Sequence, residues 1–431
     1  MKRALVILAA LTTVTAVAQN KAVDALNKKL EKANATIAKK ATASALIERA
    51  NIYMDLAEVY TNKIIPGYPI DQYISSAGQP ESMEEIVSGG ERLNKYSFAN
   101  VDIYASPDNN EIQFWLAKTV EDPQALDKAY KDLLQAKQTD AKEFSTKGII
   151  PVGKLANLHQ IEGMAYYSLM QREKAGEMFE NSAMVSEELT NNVDTVMVFY
   201  AGVSYYDAGN NDAKALELMK KAADNGYEAD GDTYFSISAL EERMGNTDAA
   251  IAILRDNLEK FPSNNLMLSQ LINLSLNSDT NLEETLSLLK KAEETDPTNA
   301  SFYLTEASIH DRMGNETAAE EALIKAYELD SNNFMTIYNI GITRARKGDS
   351  FINEAKKLDV NDIEAYNTLI EQSLPYYNGA IEMLEKAHEL DPMDARVAQT
   401  LRTLYYNKRD DSPEMEGRYN YYDKLYQELQ K

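Results

Sequence analysis

The sequence predicts an all-α protein in which antiparallel helix pairs stack into an α-solenoid, a superhelical array of repeats. Similar stretches recur along the chain, such as Leu289–Pro297 and Leu323–Ser331, which begin 34 residues apart. The intervals Ala250–Pro262 and Ala380–Pro392 are equal in length, so alanine and proline occupy the same positions in two different repeats. One repeat of this length cannot bury its apolar face alone, and stacking of successive repeats is the expected solution.

Small and bulky residues alternate in a fixed pattern within the repeats. Gly163-x-x-Tyr166 is followed by Ala175-x-x-x-Phe179, and the segments after Gly202 and Ala215 follow the same order. Small residues let antiparallel backbones approach, and the bulky ones fill the space between turns. In this pattern the chain resembles the tetratricopeptide repeat (TPR) family, in a bacterial and exported form.

The resemblance is most specific between 156 and 393 and has two departures. No repeat carries the tryptophan of the family pattern, because the single tryptophan, Trp115, lies in an insert. Charged residues also stand where the family has apolar or aromatic ones, namely Glu162, Glu241 and Arg344. These departures bear on which residues each helix face presents, and less on the fold as a whole.

The repeat boundaries divide the chain into six regions. These are a signal peptide at 1–18, an N-terminal helix at 19–42, an interrupted first repeat at 43–141 with an insert at 62–122, regular repeats at 156–333, an interrupted repeat at 334–393 with an insert at 349–373, and capping helices at 395–431. Terminal caps are expected because the last apolar face has no following repeat.

Glycine and proline mark the expected helix ends. Glycine accepts the left-handed conformation at a helix C-terminus, so the first helices should end at Gly209, Gly245, Gly314 and Gly348. The insert at 349–373 keeps helical spacing and is expected to lengthen the helices or to add one.

The insert at 62–122 differs in composition and is rich in proline and paired glycines. Val101–Tyr104 and Glu111–Leu116 flank the turn-forming stretch Pro107–Asn110. Two short apolar runs around such a stretch predict a small β-hairpin.

The first eighteen residues predict export. Lys2 and Arg3 precede the uncharged stretch Ala4–Ala18, which is shorter than the roughly 20 residues that a membrane-spanning helix needs. Small residues at 16 and 18 fit a cleavage site after Ala18, which predicts a periplasmic or secreted protein without a transmembrane anchor. The chain has no cysteine, which excludes lipidation of an N-terminal cysteine and disulfides.

The net charge of −24 argues against nucleic acid as a partner. Anionic lipid surfaces would also repel the chain as a whole, although a local basic patch can still exist. The simplest interpretation of the charge is solubility of the helical surface.

Candidate catalytic motifs are weak, so we predict no enzyme, no metal and no cofactor. Gly148–Lys154 has P-loop spacing, but Leu155 replaces the required hydroxyl residue, and a connecting loop is expected. His159, His310 and His388 lie far apart, and neither HExxH nor GxSxG occurs. A hydrolase would need acidic residues gathered in a closed cleft, which sequence alone does not show.

The family resemblance implies that the first helices line a concave groove that holds a segment of a partner protein. Tyrosine suits such a surface, because it combines apolar area with a polar tip. By register, the groove is predicted to contain Asn157, Gln160, Met164, Tyr167, Phe199, Val203, Tyr206, Asp207, Phe235, Arg243, Gln270, Asn277, Arg312, Tyr338 and Arg346.

Two hypotheses of function remain at this stage. The first is a protein-binding scaffold or adaptor in the periplasm or envelope, with a protein or peptide partner held in the groove. The alternative is capture of a small ligand, a glycan or lipid fragment, by the insert at 62–122 and the groove tyrosines; the chain has 26 tyrosines. Partner identity and oligomeric state stay open.

Overall fold

The computed structural model describes residues 2–278, 281–359 and 361–430, and the predicted signal peptide at 1–18 lies outside the described side chains. The described residues form nineteen α-helices and one sheet and are 72% helical, which confirms the all-α prediction with a small β insert. Within the described ranges, no helix combines the length and the apolar composition needed to cross a membrane. The chain divides into two compact units, Met1–Ala250 and Ile251–Lys431.

The first unit begins with two helices, α1 (Lys2–Lys39) and α2 (Ala43–Ala57). Thr42 caps α2, because its side chain accepts a hydrogen bond from the Ala45 N–H at 3.2 Å. Val23 of α1 packs near Val59 and Tyr60, which follow α2. One side of α1 therefore packs against α2 and the residues that follow it.

The insert contains a short helix, α3 (Ile70–Ala77), and four strands: β1 (Ser82–Ser88), β2 (Glu91–Ser97), β3 (Val101–Ala105) and β4 (Ile112–Ala117). They form an antiparallel sheet in the order β1-β2-β3-β4. The predicted hairpin is confirmed as β3 and β4, with Ile103 opposite Trp115. Tyr73 of α3 and Phe98 meet edge to face at 5.1 Å and help to cover one side of the sheet.

The remaining helices of the first unit form the repeat pairs. They are α4 (Ala125–Thr139), α5 (Ala141–Lys147), α6 (Ile149–Ser168), α7 (Arg172–Thr190), α8 (Thr195–Ala208), α9 (Asp212–Asp224) and α10 (Asp232–Arg243), with a 3₁₀ turn at Ala229–Gly231. Leu46 of α2 and Leu133 of α4 are buried in one core, so the insert separates two helices that pack as a pair.

The small residues of the pattern lie where helices approach closely. A Cβ atom at Gly163 of α6 would lie 2.8 Å from the Phe179 ring of α7. Gly202 of α8 faces Met219 of α9 in the same way, at 2.8 Å from its Cγ. The glycines of the family pattern are thus required by interhelical distance.

The prediction of a connecting loop at Gly148–Lys154 is wrong. Helix α6 begins at Ile149, and Pro151 lies in its first turn, where no helical hydrogen bond from the proline nitrogen is needed. The segment therefore continues the helical array.

The second unit follows α11 (Thr247–Leu258), which spans the division. Its helices are α12 (Asn265–Ser278), α13 (Leu282–Thr295), α14 (Ala300–Arg312), α15 (Glu316–Leu329), α16 (Phe334–Ala355), α17 (Ile363–Leu390), α18 (Ala395–Lys408) and α19 (Pro413–Leu429). Leu384, Leu401 and Tyr422 are fully buried in the core of this unit, which the last two helices close.

The prediction that Gly348 ends a first helix is wrong. Helix α16 continues through it to Ala355, and a Cβ at Gly348 would lie 2.8 Å from the Tyr377 ring of α17. This glycine therefore serves close packing. Residues of the insert at 349–373 lengthen α16 at its end and α17 at its start, and the two helices face each other as a long pair.

Candidate functional site

The predicted groove residues lie on the first helices of the repeats, α6, α8, α10, α12, α14 and α16. None of the fifteen is buried: each is half-buried or exposed. The groove residues of α6 to α10 belong to the first unit, and those of α12 to α16 belong to the second.

Tyr167 and Asp207 link the ends of α6 and α8. The Tyr167 hydroxyl donates a hydrogen bond to Asp207 Oδ2 at 2.8 Å. The Arg172 guanidinium lies over the Tyr167 ring, 3.6 Å from its centroid, and donates to the Tyr167 carbonyl at 2.7 Å. Burial, and then the hydrogen bond to Asp207, raise the pKa of Tyr167. Arg172 was not among the predicted residues, because it lies in the following helix.

Tyr206 and Arg243 form a second cation–π contact, between the ends of α8 and α10. The guanidinium of Arg243 lies 4.1 Å from the centroid of the Tyr206 ring. Arg243 Nε also donates to Asp212 Oδ2 at 2.8 Å, which holds the cation in place. A stacked and paired arginine loses little mobility on binding a partner, since it is already ordered.

A pocket of about 420 Å³ lies between the sheet and the C-terminal end of α6, and we call it the sheet pocket. Its lining residues are Ser88, Gly89, Glu91, Leu93, Gln113, Phe114, Met164, Tyr167, Ser168, Met170 and Arg172. The Ser88 hydroxyl fastens the sheet to α6 by donating to the Ser168 carbonyl at 2.7 Å. The insert and the predicted groove therefore meet in one site at Met164 and Tyr167.

The other predicted residues of the first unit pack against neighbouring side chains or lie outside the sheet pocket. Phe199 packs against Tyr227, with ring centroids 4.7 Å apart. Val203 and Phe235 are half-buried on α8 and α10. Asn157 and Gln160 precede Met164 on α6 and do not line the sheet pocket.

A groove of about 460 Å³ crosses α12, α14 and α16 in the second unit, and we call it the helix groove. It is lined by Asn273, Leu276, Asn277, Ala307, Ser308, Asp311, Arg312, Ala319, Leu323, Asn339, Ile342, Thr343 and Arg346. Three of the predicted residues, Asn277, Arg312 and Arg346, come together here. They occupy equivalent positions, 35 and 34 residues apart, at successive first helices.

Asparagines and an ion pair give the helix groove its polar surface. Arg346 of α16 and Asp311 of α14 are 2.5 Å apart, and both are more than two-fifths exposed. Asn273 and Asn339 were missed by sequence reasoning. The register could have found Asp311, which stands one residue before the predicted Arg312.

Tyr338 and Gln270 lie outside the groove lining. The Tyr338 ring is nearly parallel to Phe334, and the Arg396 guanidinium lies 5.0 Å from its centroid. Burial raises the pKa of Tyr338, with Arg396 acting in the opposite direction. This tyrosine therefore belongs to the packing between α16 and α18.

The histidines are not gathered into one site. His159 is buried in α6, and burial lowers its pKa to about 4. His310 lies 3.5 Å from Glu306, and His388 is 3.2 Å from the Tyr421 hydroxyl. Across the described residues, no group of three or more histidine or acidic side chains is arranged to hold a metal ion.

One segment of the array matches a known protein family. Residues 300–333, which contain α14 and α15, match the family described as tetratricopeptide repeat. No curated protein matches the chain in sequence.

Solved structures with a similar arrangement include three proteins. MamA is 21% identical over 45% of this chain and 94% of its own, with a TM-score of 0.34. A TPR repeats protein from Bacteroides fragilis is 20% identical over 58% of this chain and 97% of its own, with a TM-score of 0.31. YrrB is described as a TPR protein with an unusual peptide-binding site. It is 19% identical over 49% of this chain and 97% of its own, with a TM-score of 0.33.

Proposed function

We propose that this chain, a tetratricopeptide repeat protein, is a non-catalytic scaffold that binds a segment of a partner protein in the helix groove. The observation that carries the proposal is the row of asparagine amides across α12 and α16. Asn273 and Asn277 are exposed and Asn339 is half-buried. Among the described residues, their side-chain amides have no hydrogen-bond partner.

An asparagine amide offers two donors and an acceptor, so it can pair with both the N–H and the carbonyl of an extended peptide. Three such amides would hold a backbone largely independently of its side chains. Ala307, Ala319 and Leu323 are buried beneath them and give the groove an apolar floor. Such a floor accepts a small apolar side chain of the bound segment.

The proposal predicts that removing the three amides weakens partner capture. We compare the wild-type chain with Asn273→Ala/Asn277→Ala/Asn339→Ala by covalent crosslinking in intact cells, followed by recovery of the complexes. Each lost hydrogen bond costs about 0.5–1.5 kcal/mol, so the three together should weaken binding by about tenfold or more. The wild type should recover one protein in stoichiometric amount.

The matched control removes three other exposed asparagines of the same unit, in Asn332→Ala/Asn367→Ala/Asn420→Ala. It should capture the partner as the wild type does. Equal loss in both triple variants, or capture of no protein by the wild type, would contradict the scaffold proposal.

The sheet pocket supports a second candidate function, the binding of a small glycan or lipid fragment. Its volume of about 420 Å³ is in the range of small-molecule sites, roughly 300–1,000 Å³. Leu93, Phe114 and Met164 offer apolar surface, while Tyr167 and Glu91 offer polar groups at the same place.

Thermal unfolding tests this candidate with chito-oligosaccharides and short-chain fatty acids as probes. A rise in the unfolding midpoint with one probe, lost in Met164→Trp, would support it, because Met164 is 48% exposed and a larger side chain there should obstruct the pocket. Met335→Trp, at a residue that is 42% exposed on α16, is the control. No shift with either probe would contradict it.

We also propose export to the periplasm or envelope, with cleavage after Ala18. Lys2, Arg3 and the uncharged stretch Ala4–Ala18 support this proposal. Mass spectrometry of the protein from periplasmic and cytoplasmic fractions should find an N-terminus at Gln19 in the periplasm. Full-length protein confined to the cytoplasm would contradict export.

A further inference from the structure

We propose that the exposed side of α1 is a docking surface for an anionic lipid bilayer. Residues 19–40 contain six lysines and only two acidic residues, Asp24 and Glu31, in a chain with a net charge of −24. The N-terminal helix thus carries a local surplus of positive charge that opposes the charge of the whole chain. Such a surplus can attract an anionic surface locally, although the chain as a whole is acidic.

Four of these lysines form a straight row, which we call the lysine stripe: Lys21, Lys28, Lys32 and Lys39. At about 100° per residue, as a helix of 3.6 residues per turn requires, they fall within about 40° of one another. The stripe runs along about 27 Å of the helix, since each residue adds about 1.5 Å. All four side chains are exposed.

The opposite side of α1 is held by apolar contacts. Ala33 packs with Ile52 and Leu56 of α2, and Leu26 and Leu30 lie against the same cluster. These residues are about 100–180° around the helix from the stripe. The packing therefore directs the lysines away from the body of the unit.

The lysine stripe is not neutralised within the described part of the chain. None of its four ammonium groups forms an ion pair or a hydrogen bond with another described residue. Lys154, by contrast, lies within 2.6 Å of both Asp55 and Glu58. Asp24 and Glu31 stand about 60–80° around the helix from the centre of the stripe. The positive charge is thus available to an external anion.

The residue types favour a bilayer over an acidic protein. Protein interfaces are enriched in aromatic residues and arginine and depleted of lysine, whereas the stripe contains lysine alone. Ala25 and Ala35 lie beside it, so nothing bulky keeps the ammonium groups from a flat surface. Clusters of four to eight basic residues are typical of binding to anionic lipid headgroups.

Vesicle binding of the full chain tests the proposal. The probes are vesicles of phosphatidylcholine alone and of equimolar phosphatidylcholine and phosphatidylglycerol, with bound protein measured by flotation. Binding should require phosphatidylglycerol and should be lost in high salt, because the attraction is screened. The stripe variant Lys21→Gln/Lys28→Gln/Lys32→Gln/Lys39→Gln should bind hundreds-fold more weakly, at about fivefold per lysine.

The matched control, Lys131→Gln/Lys142→Gln/Lys356→Gln/Lys357→Gln, removes four other exposed lysines and should bind as the wild type does. Equal losses in the two variants would overturn the proposal, since net charge alone would then explain them. Equal binding of wild type and stripe variant to both kinds of vesicle would assign the attachment to the apolar segment 4–18 instead. Binding to polyglutamate without binding to vesicles would assign the stripe to an acidic protein.

Discussion

Two glycines of α6 occupy different surroundings, although nothing in their immediate sequence distinguishes them. A Cβ at Gly163 would lie 2.8 Å from the Phe179 ring, whereas a Cβ at Gly153 would have no atom within 4 Å. We therefore expect Gly163→Ala to destabilise the protein by about 1–3 kcal/mol, because the ring must move in a packed core. Gly153→Ala should stabilise it by about 0.5–1 kcal/mol, because alanine is the better helix former.

Urea unfolding of the two variants, followed by circular dichroism, measures this difference. The matched pair shares the helix and the substitution, so only the surroundings differ. A destabilisation of similar size in both would show that close approach is not what requires Gly163.

His159 should make the stability depend on pH. Burial lowers its pKa to about 4, with Asp127 acting weakly in the opposite direction, from about 6.5 in an unfolded chain. Because the unfolded state binds the proton more readily, the folded state should lose stability as pH falls from about 6.5 to about 4. The loss attributable to this residue should reach about 3 kcal/mol.

Comparison of wild type with His159→Leu isolates this contribution, since the carboxylates titrate in both. The difference in unfolding free energy between the two proteins, measured by urea unfolding at several pH values, should change across that interval. A difference that stays constant with pH would contradict the prediction.

Two of the three charged residues at apolar positions of the family pattern, Glu241 and Arg344, have partners on neighbouring helices. Glu241 is buried, but Lys220 lies 2.6 Å from it and Asn246 donates to it at 2.9 Å. The hydrogen bond from Lys220 lowers the pKa of Glu241. Arg344 similarly pairs with Glu320 at 3.3 Å. Sequence reasoning could identify these departures but not the partners, because those lie on a different helix.

At the scale of the element, helix caps fix where the repeats begin. Asn333 precedes α16, and its side-chain oxygen accepts from the Thr336 N–H at 3.0 Å and from the Thr336 hydroxyl at 3.2 Å. Asn333→Ala should therefore destabilise the start of α16 by about 1 kcal/mol. Hydrogen exchange of the first turn of α16 is the measurement, because it reports local opening.

The neighbouring Asn332→Ala is the control, since the Asn332 side chain is exposed and caps no helix. Its effect should stay within about 0.5 kcal/mol. Faster exchange of the α16 first turn in Asn332→Ala, or none in Asn333→Ala, would show that the cap is not what fixes this helix start.

Helix periodicity predicted most elements, and the error at Gly348 shows where local sequence is insufficient. Gly314 has a left-handed φ of 76° next to the end of α14, as expected of a helix-ending glycine. Gly348 looks similar in sequence, yet α16 passes through it because Tyr377 needs the space. A glycine that ends a helix and one that accommodates a neighbour are distinguished by a contact with another element.

At the scale of the whole molecule, the far-ultraviolet circular dichroism spectrum should be dominated by helix, in line with 72% helical residues. The four short strands contribute little to it. A mainly β spectrum would contradict both the repeat array and the groove assignments that depend on its register.

For the candidate site, too, the sequence predicted positions that recur with the repeat, but not contacts between segments far apart in the chain. Register alone brought Asn277, Arg312 and Arg346 to one groove, because residues about 34 apart recur at the same place on successive first helices. The meeting of the insert with Met164 and Tyr167 was not predictable. It depends on how a sheet of 62–122 packs against a helix more than forty residues later, which no local pattern encodes.

The sequence by itself determined the helical class, the period of the repeats and the array's first-helix faces, because these follow from the spacing of apolar and small residues. It also contained the lysine stripe, whose spacing is readable once α1 is known to be helical. Tertiary structure alone decided which polar groups of those faces are paired, such as Tyr167 with Asp207, and which stay available, such as Asn273. The reason is physical: pairing depends on side chains from separate helices, and their approach is set by packing.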